Sequence, residues 1–377
     1  VQVKLEKNID PELVDEWLIR SGTLPLSICV ITHLIDGKVS DSDRQSAVAI
    51  LDIITGHAER WRRVAFNLPQ YCYDELTHIK HRLLNLESIF IQELPTLESD
   101  LFADAPRLRD VRFKGSRPQY FILPTTQLTT LSLHGSHAKQ CFDMLERSPR
   151  VTRCSFEAVW PKHNIHPILT PHLESLELGF AQRYMVGADD VTRVFDCFTG
   201  IPAVHTFLCR SDGYHFPHLS FMSLISRSSC TLQELCLDCW RISNEDLIEC
   251  LRAIPSIHTL SLRRLRGTTL RILDPHISAT PALLPNLKIF RYEGSFHLDF
   301  TDLTAILRSR SELAKSLSIA KLQYAKFSTV DHGVPDDPTL AQLQQLVQDG
   351  MTIKIVTGDD CWTSIRISSF VWSVAQL

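Results

Sequence analysis

Along the chain one arrangement of positions keeps returning: an apolar residue, two spacers, a second apolar residue, one spacer, a third. It stands at Leu86 to Ile91, Leu108 to Phe113, Leu128 to Leu133, Val151 to Phe156, Leu173 to Leu178, Val204 to Cys209, Leu232 to Leu237, Ile257 to Leu262 and Leu287 to Tyr292, with an earlier copy at Trp61 to Phe66. From Leu86 onward, successive copies start 20 to 31 residues apart. In each copy the last two apolar residues are two apart, so both point to one side of a short strand while their neighbours point to the other. Between copies the spacing turns helical, as in Cys141, Phe142, Leu145 and in Leu247, Ile248, Leu251, Ile254. Pro106, Pro149, Pro171, Pro202, Pro255 and Pro285 each stand two residues before a copy. There the missing amide ends a helix, and the bias of the preceding residue towards extended backbone feeds a strand. Ser243 followed by Asp246 predicts a helix start, because the hydroxyl accepts from a first-turn amide and the carboxylate favours the positive helix end. Asp10-Pro11 predicts another.

A strand with one apolar face and a helix with one apolar stripe cannot close a core alone, but successive pairs stacked together bury a continuous one. A phrase of this kind at this period is the signature of a leucine-rich repeat. The expected fold is α/β, a leucine-rich-repeat solenoid with a curved parallel sheet on its concave face and helices on its convex face. Residues 1–60 are expected to form irregular N-terminal repeats or a cap, 61–320 the repeat array, and 321–377 an irregular C-terminal repeat or cap and a tail. Near the ends, Val1–Leu5 and Leu26–Val30 alternate as strands, with helices over Asp10–Arg20 and Asp43–Thr55. Ser316–Ile319 and Thr352–Val356 read as strands around a helix from Thr339 to Gln348 that stops at Gly350. Ser328–Pro338 reads as a loop, Thr363–Leu377 is an apolar tail without an assigned role, and no Gly/Ser-rich linker marks a second domain.

Composition narrows the partners. Of 377 residues, 44% are hydrophobic and 22% charged, the balance of a chain that buries a core. With 39 basic and 43 acidic residues, the net charge of -4 gives no field that would gather nucleic acid or an acidic membrane, and neither is expected as a partner. The 11 cysteines lack the even, short-chain spacing of a disulfide framework, which fits a cytoplasmic or nuclear protein. Apolar stretches such as Ala47–Leu51 fall far short of the roughly 20 residues that span a bilayer. The chain begins Val1-Gln2-Val3 with no leader, and is expected to be a fragment with something upstream missing.

Signals for chemistry are sparse. Cys236 and Cys239 form the one C-x-x-C, whereas structural zinc wants four ligands, usually with a second close pair. His163 with His166 and His215 with His218 are three apart in expected loops, with no organised carboxylate partner. Asp189-Asp190, Asp336-Asp337 and Asp359-Asp360 stand at expected helix starts or turns, where capping accounts for them. The glycine patterns of phosphate-binding loops and nucleophile elbows do not occur. No catalytic residue, cofactor or metal is expected, and the chain is read as a binding protein, not an enzyme.

The phrases, together with Trp61-Arg62-Arg63-Val64, Phe142-Asp143-Met144-Leu145, Thr170 to Leu176 and Leu284-Pro285-Asn286-Leu287, resemble the F-box/leucine-rich-repeat proteins of mushroom-forming fungi. Leu13 to Gly22 followed by Pro25-Leu26-Ser27 is similar to the segment just after the F-box in that family. The resemblance implies the substrate-recognition part of a cullin-RING ubiquitin ligase, with the Skp adaptor and cullin engaged only through an upstream F-box missing from this chain. The box's Leu-Pro-x-Glu-Leu opening has only the faint echo Asp10-Pro11-Glu12-Leu13 here. A second departure concerns the asparagine or cysteine that usually follows each phrase: Leu94, Ser116, Ser136, Val159, Ala181, Asp212, Trp240, Leu265 and Ser295 stand in its place, so the turns need other partners. The alternative reading is a free-standing repeat scaffold or inhibitor with no ligase role.

Alternation places the residues flanking each apolar pair on the open face of the sheet. These include Ala65, Asn67, Ser88, Glu157, Gly179, Thr259 and Ser261. Because bound proteins depend most on arginines and aromatics, the contacts expected on the concave face are Phe90, Arg112, Lys114, Arg153, Glu177, Arg210, Glu234, Asp238, Arg263 and Arg291.

Overall fold

The computed structural model describes residues 2–4, 11–31, 41–92, 98–115, 117–159, 165–180, 188–265, 270–274, 283–294, 300–314, 319–329 and 336–357. The chain divides into two compact units, Val1–His166 and Pro167–Gln376. The boundary residues, Trp160 to Pro167, have no Gly- or Ser-rich composition to announce it. Both units are α/β with parallel strands, and among the described residues no helix is long and apolar enough to cross a membrane.

In the first unit the elements are β1 (Gln2–Lys4), α1 (Pro11–Arg20), β2 (Leu26–Ile31), α2 (Asp41–Gly56), β3 (Trp61–Asn67), α3 (Gln70–Glu75), β4 (Ser88–Gln92), β5 (Asp110–Lys114), β6 (Thr130–His134), α4 (Ala138–Glu146) and β7 (Arg153–Glu157). The strands pair in sequence order, β1 to β7. From Arg63 on β3 to β7 the register holds without a shift, so Val64, Ile89, Val111, Leu131 and Cys154 form one row and Phe66, Ile91, Phe113, Leu133 and Phe156 the next. These are the paired apolar positions of the repeated phrase, and all ten are buried. Each such side chain taken from water contributes about 1.5–3 kcal/mol, so the rows hold the unit together.

The connections differ in how they cover that core. Phe142 of α4 meets Phe156 of β7 at 6.1 Å. From β4 to β6 the phrases are only 22 and 20 residues apart, and the β5–β6 connection carries two 3-10 turns, at Pro118–Tyr120 and Thr125–Gln127. Aromatic rings take the helix's place there: Phe121 stacks on Phe113 at 5.1 Å and lies 5.6 Å from Phe102. Ser136, one of the residues standing where an asparagine is usual, is fully buried and donates its hydroxyl to the Gly115 carbonyl at 2.9 Å. That gives the turn carbonyl a partner from the following repeat.

The second unit contains β8 (Ile168–Leu169), β9 (Ser175–Phe180), α5 (Ala188–Cys197), β10 (Phe198–Gly200), β11 (Thr206–His215), α6 (His218–Ser228), β12 (Glu234–Arg241), α7 (Asn244–Arg252), β13 (Thr259–Arg263), β14 (Ile289–Gly294), α8 (Phe300–Leu313), β15 (Tyr324–Thr329), α9 (Asp337–Gln348) and β16 (Thr352–Thr357). Its sheet runs β9-β11-β12-β13-β14-β15-β16, while β8 and β10 pair separately. Phe207 of β11 packs against Phe195 of α5 at 6.1 Å and Phe221 of α6 at 5.3 Å. Ser243 accepts from the Asp246 amide at 3.0 Å and starts α7 as its sequence predicts. Asp336 accepts from the Thr339 amide at 3.0 Å, and the Thr339 hydroxyl and amide hold its carboxyl below the usual aspartate range.

Two features of this unit depart from the sequence expectation. A strand that spacing had not placed lies at Tyr324–Thr329; of the strand expected at Ser316–Ile319, residues 316–318 are outside the described set and Ile319 is in no strand. The repeated phrase is present at Leu322, Ala325 and Phe327, all buried, but alanine gives it too weak an apolar signal to stand out. Ser328 and Thr329 therefore belong to a strand and Asp337 and Pro338 to a helix, not to a loop. The other departure is Arg310 of α8, only 1% exposed, whose guanidinium donates to the carbonyls of Leu273, Leu283 and Leu284 at 2.7 to 3.3 Å. Burial pushes its pKa down to about 10, which leaves it charged, and the three carbonyls answer that charge.

Candidate functional site: the open faces of the two sheets

Phe90 and Arg112 are register partners on β4 and β5, and the row continues through Ser132 and Ser155. Phe90, Arg112 and Lys114 are half-buried and Arg153 is exposed. Arg112 donates to both oxygens of Asp110, two residues earlier on its own strand, at 3.1 and 2.9 Å, and Ser88 adds a hydroxyl to the same carboxylate at 3.1 Å. Arg153 reaches across to the Thr130 hydroxyl at 3.4 Å. Phe90 thus offers an apolar surface, with Arg112 held upright beside it by its own aspartate.

On the second unit three rows run across the open face. The innermost aligns Gly179, Arg210, Asp238, Arg263 and Glu293, a series whose charges alternate in sign from strand to strand. Arg210 donates to Asp238 at 3.1 Å, and Arg263 lies 3.4 Å from Glu293. Arg264, immediately after β13, adopts a left-handed φ of 54° while its amide donates to the Glu293 carbonyl at 2.7 Å. That turn returns its guanidinium to the other oxygen of Asp238 and sets it 6.0 Å from the Trp240 ring. Burial pushes the Glu293 carboxyl up, with Arg263 opposing the shift.

The middle row reads Glu177, Leu208, Cys236, Ser261, Arg291, Lys326 and Lys354. Its last three members are cations directly opposite one another on β14, β15 and β16. Arg291 and Lys354 are exposed and Lys326 is half-buried. Arg291 lies 5.8 Å from the Tyr324 ring, and among the described residues no carboxylate comes within ion-pair distance of Lys326 or Lys354. In the third row Glu234 is exposed beside Thr206 and Thr259.

With known proteins, the chain matches no family model and no curated sequence.

Alternation misjudged exposure at several of these positions. Ala65, Asn67, Ser88, Glu157, Gly179, Asp238, Thr259 and Ser261 sit on the open-face register positions yet are buried. Thr259 and Ser261 are short side chains shaded by longer neighbours on adjacent strands. Asp238, 2% exposed, lies beneath two arginines. Arg264 was missed because it belongs to the turn after the phrase, and Lys326 because spacing had not placed its strand. Lys354 fell on an expected strand but was treated as part of a terminal cap.

The remaining candidates resolve individually. Cys236 and Cys239 both lie inside β12, three apart, and so face opposite ways: Cys236 on the open face, Cys239 fully buried on the other. Burial pushes the Cys236 thiol up to about 12, which leaves little thiolate for nucleophilic attack. His218 is not in a loop without a carboxylate; it is the first residue of α6 and lies 3.2 Å from Asp246 of α7. His163, Asn164 and Asp359-Asp360 lie outside the described residues, as does the tail from Thr363. Among the described residues, no three His, Cys, Asp or Glu side chains gather as a metal site would require.

Proposed function

We propose that the chain is a leucine-rich-repeat solenoid whose open sheet face binds another protein, and that it serves as the substrate-recognition part of an F-box-type ubiquitin ligase in the cytoplasm or nucleus. The repeated phrase, its unshifted parallel register and the open face lined with arginines support the repeat reading. The observation that carries the binding reading is the strip Arg291, Lys326 and Lys354, where like charges stand opposite one another without a carboxylate between them. Like charges opposed across strands destabilise a sheet, so such a strip is kept for an interaction outside the chain. Its complement is a target segment that presents carboxylates, with Arg291 on Tyr324 as the rigid anchor. Ubiquitin transfer itself belongs to other subunits; holding the target raises its local concentration.

The test is affinity purification of the full-length product followed by mass spectrometry, with a Lys326→Glu, Lys354→Glu variant alongside. Adaptor and cullin are expected with both proteins, and the target with the unaltered one alone. Consistent absence of adaptor and cullin would move the protein to the scaffold or inhibitor reading, whereas undiminished target on the reversed strip would remove this surface.

A further inference from the structure

The strip Arg291, Lys326 and Lys354 constrains the shape of what can lie on it as well as its charge. The three residues are register partners on β14, β15 and β16. Paired strands stand about 4.8 Å apart, so the cations advance by that step and cover about 9.6 Å from the first to the last. Two of the three stems have little freedom to leave those places: Arg291 lies 5.8 Å from the Tyr324 ring, and Lys326 is half-buried. A helix rises about 1.5 Å per residue, so carboxylates at i, i+3 and i+7 share one face and stand about 4.5 and 10.5 Å along its axis. An extended segment turns alternate residues to one side about 6.7 Å apart, so its three carboxylates cover about 13 Å and outrun the cations.

Backbone chemistry favours the same shape. β14 is paired with β13 and β15, and β15 with β14 and β16, so their amides and carbonyls are used within the sheet. A segment lying extended on that face would lose water from its own backbone groups without finding partners, whereas a helix arrives with them satisfied. The borders of the strip add a direction. On one side, two residues earlier on the same strands, stand Ile289 and Tyr324, both half-buried, and the exposed Thr352. On the other side Glu293 is engaged by Arg263, Ser328 is buried and Val356 is half-buried. Acids on the strip are therefore turned away from Glu293 and towards the apolar Ile289–Tyr324 border.

We propose that the strip receives an amphipathic α-helix of the target, lying across β14 to β16, with acidic residues at i, i+3 and i+7 over the three cations and apolar residues over Ile289 and Tyr324. This rests on the reading that the open face binds a target, and narrows that target to one class of segment.

The experiment titrates the full chain with fluorescent synthetic peptides and follows their anisotropy. One peptide is stapled as a helix and carries glutamates at i, i+3 and i+7. A second has equal charge but glutamates at i, i+2 and i+4 between β-branched residues that keep it extended, and a third is the stapled helix with glutamine for each glutamate. The stapled acidic helix is expected to bind about tenfold more tightly than either of the others, and to lose about tenfold on a Lys326→Glu, Lys354→Glu chain whose melting temperature is not lowered. Equal or tighter binding of the extended acidic peptide would overturn the helix and leave the acidic-target reading standing. Equal binding of the glutamine helix, undiminished binding to the reversed strip, or binding by neither acidic peptide would overturn both.

Discussion

Two neighbouring rows on the second unit's open face treat charge in opposite ways. Arg210, Asp238, Arg263 and Glu293 alternate in sign and answer one another, with Arg264 returning to add a second cation over Asp238. Two residues earlier on the strands, Arg291, Lys326 and Lys354 repeat one sign on three consecutive strands. The first row is satisfied internally, so its charges stiffen the sheet and have little left to offer. The second is costly to the folded chain and gains by meeting carboxylates. On the proposed binding face, charged residues would thus divide into those that hold the face and those that meet a target, and register separates the two.

The largest effect expected from disturbing this contrast comes from Asp238→Ala. It leaves Arg210 and Arg264 half-buried without their shared carboxylate, and should cost about 3 kcal/mol of stability in urea unfolding. Next, Lys326→Glu places an acid between two cations and should weaken the target about tenfold, or about 1.4 kcal/mol, by titration calorimetry. The same variant should gain about 0.5 kcal/mol of stability, because it removes two like-charge oppositions. A variant that lost both stability and binding would refute the division of labour. Reversing Arg112 and Arg153 to glutamate should weaken the target while leaving the melting temperature unchanged, and undiminished binding would take the first unit's face out of the site.

The smallest effect is in pH dependence. The Glu293 carboxyl is raised by burial, so the folded chain holds that proton more tightly than the unfolded one. Stability from this group is full below the ordinary glutamate value of 4.5 and is lost as pH rises through the elevated folded value. Glu293→Gln cannot ionise, so its stability relative to the unaltered protein should increase with pH across that window. Urea midpoints that move in parallel for the two proteins would show that Glu293 does not titrate in folding.

Much of this architecture could be read from spacing. The paired positions such as Val111 with Phe113 and Leu260 with Leu262 announced strand faces, and Ser243 announced a helix start, because these depend on local periodicity and local hydrogen bonding. What escaped depended on neighbours distant in sequence. Asp238 is covered by Arg210 from β11 and Arg264 from the turn after β13, and no alternation rule foresees that. β15 escaped for a humbler reason, since Ala325 dilutes its phrase although it fills its place in the core completely. The strip Arg291–Lys326–Lys354 emerges only once the register of β14 to β16 is known.

Within each unit, every strand of the sheet borders only the strands nearest to it in the succession of repeats. A substitution on one rung therefore leaves the geometry two rungs away almost untouched. On the proposed face, recognition would behave like a line of separately replaceable letters: a lineage could respell Lys354 or Glu177 to follow a changing target without rewriting the rungs between them.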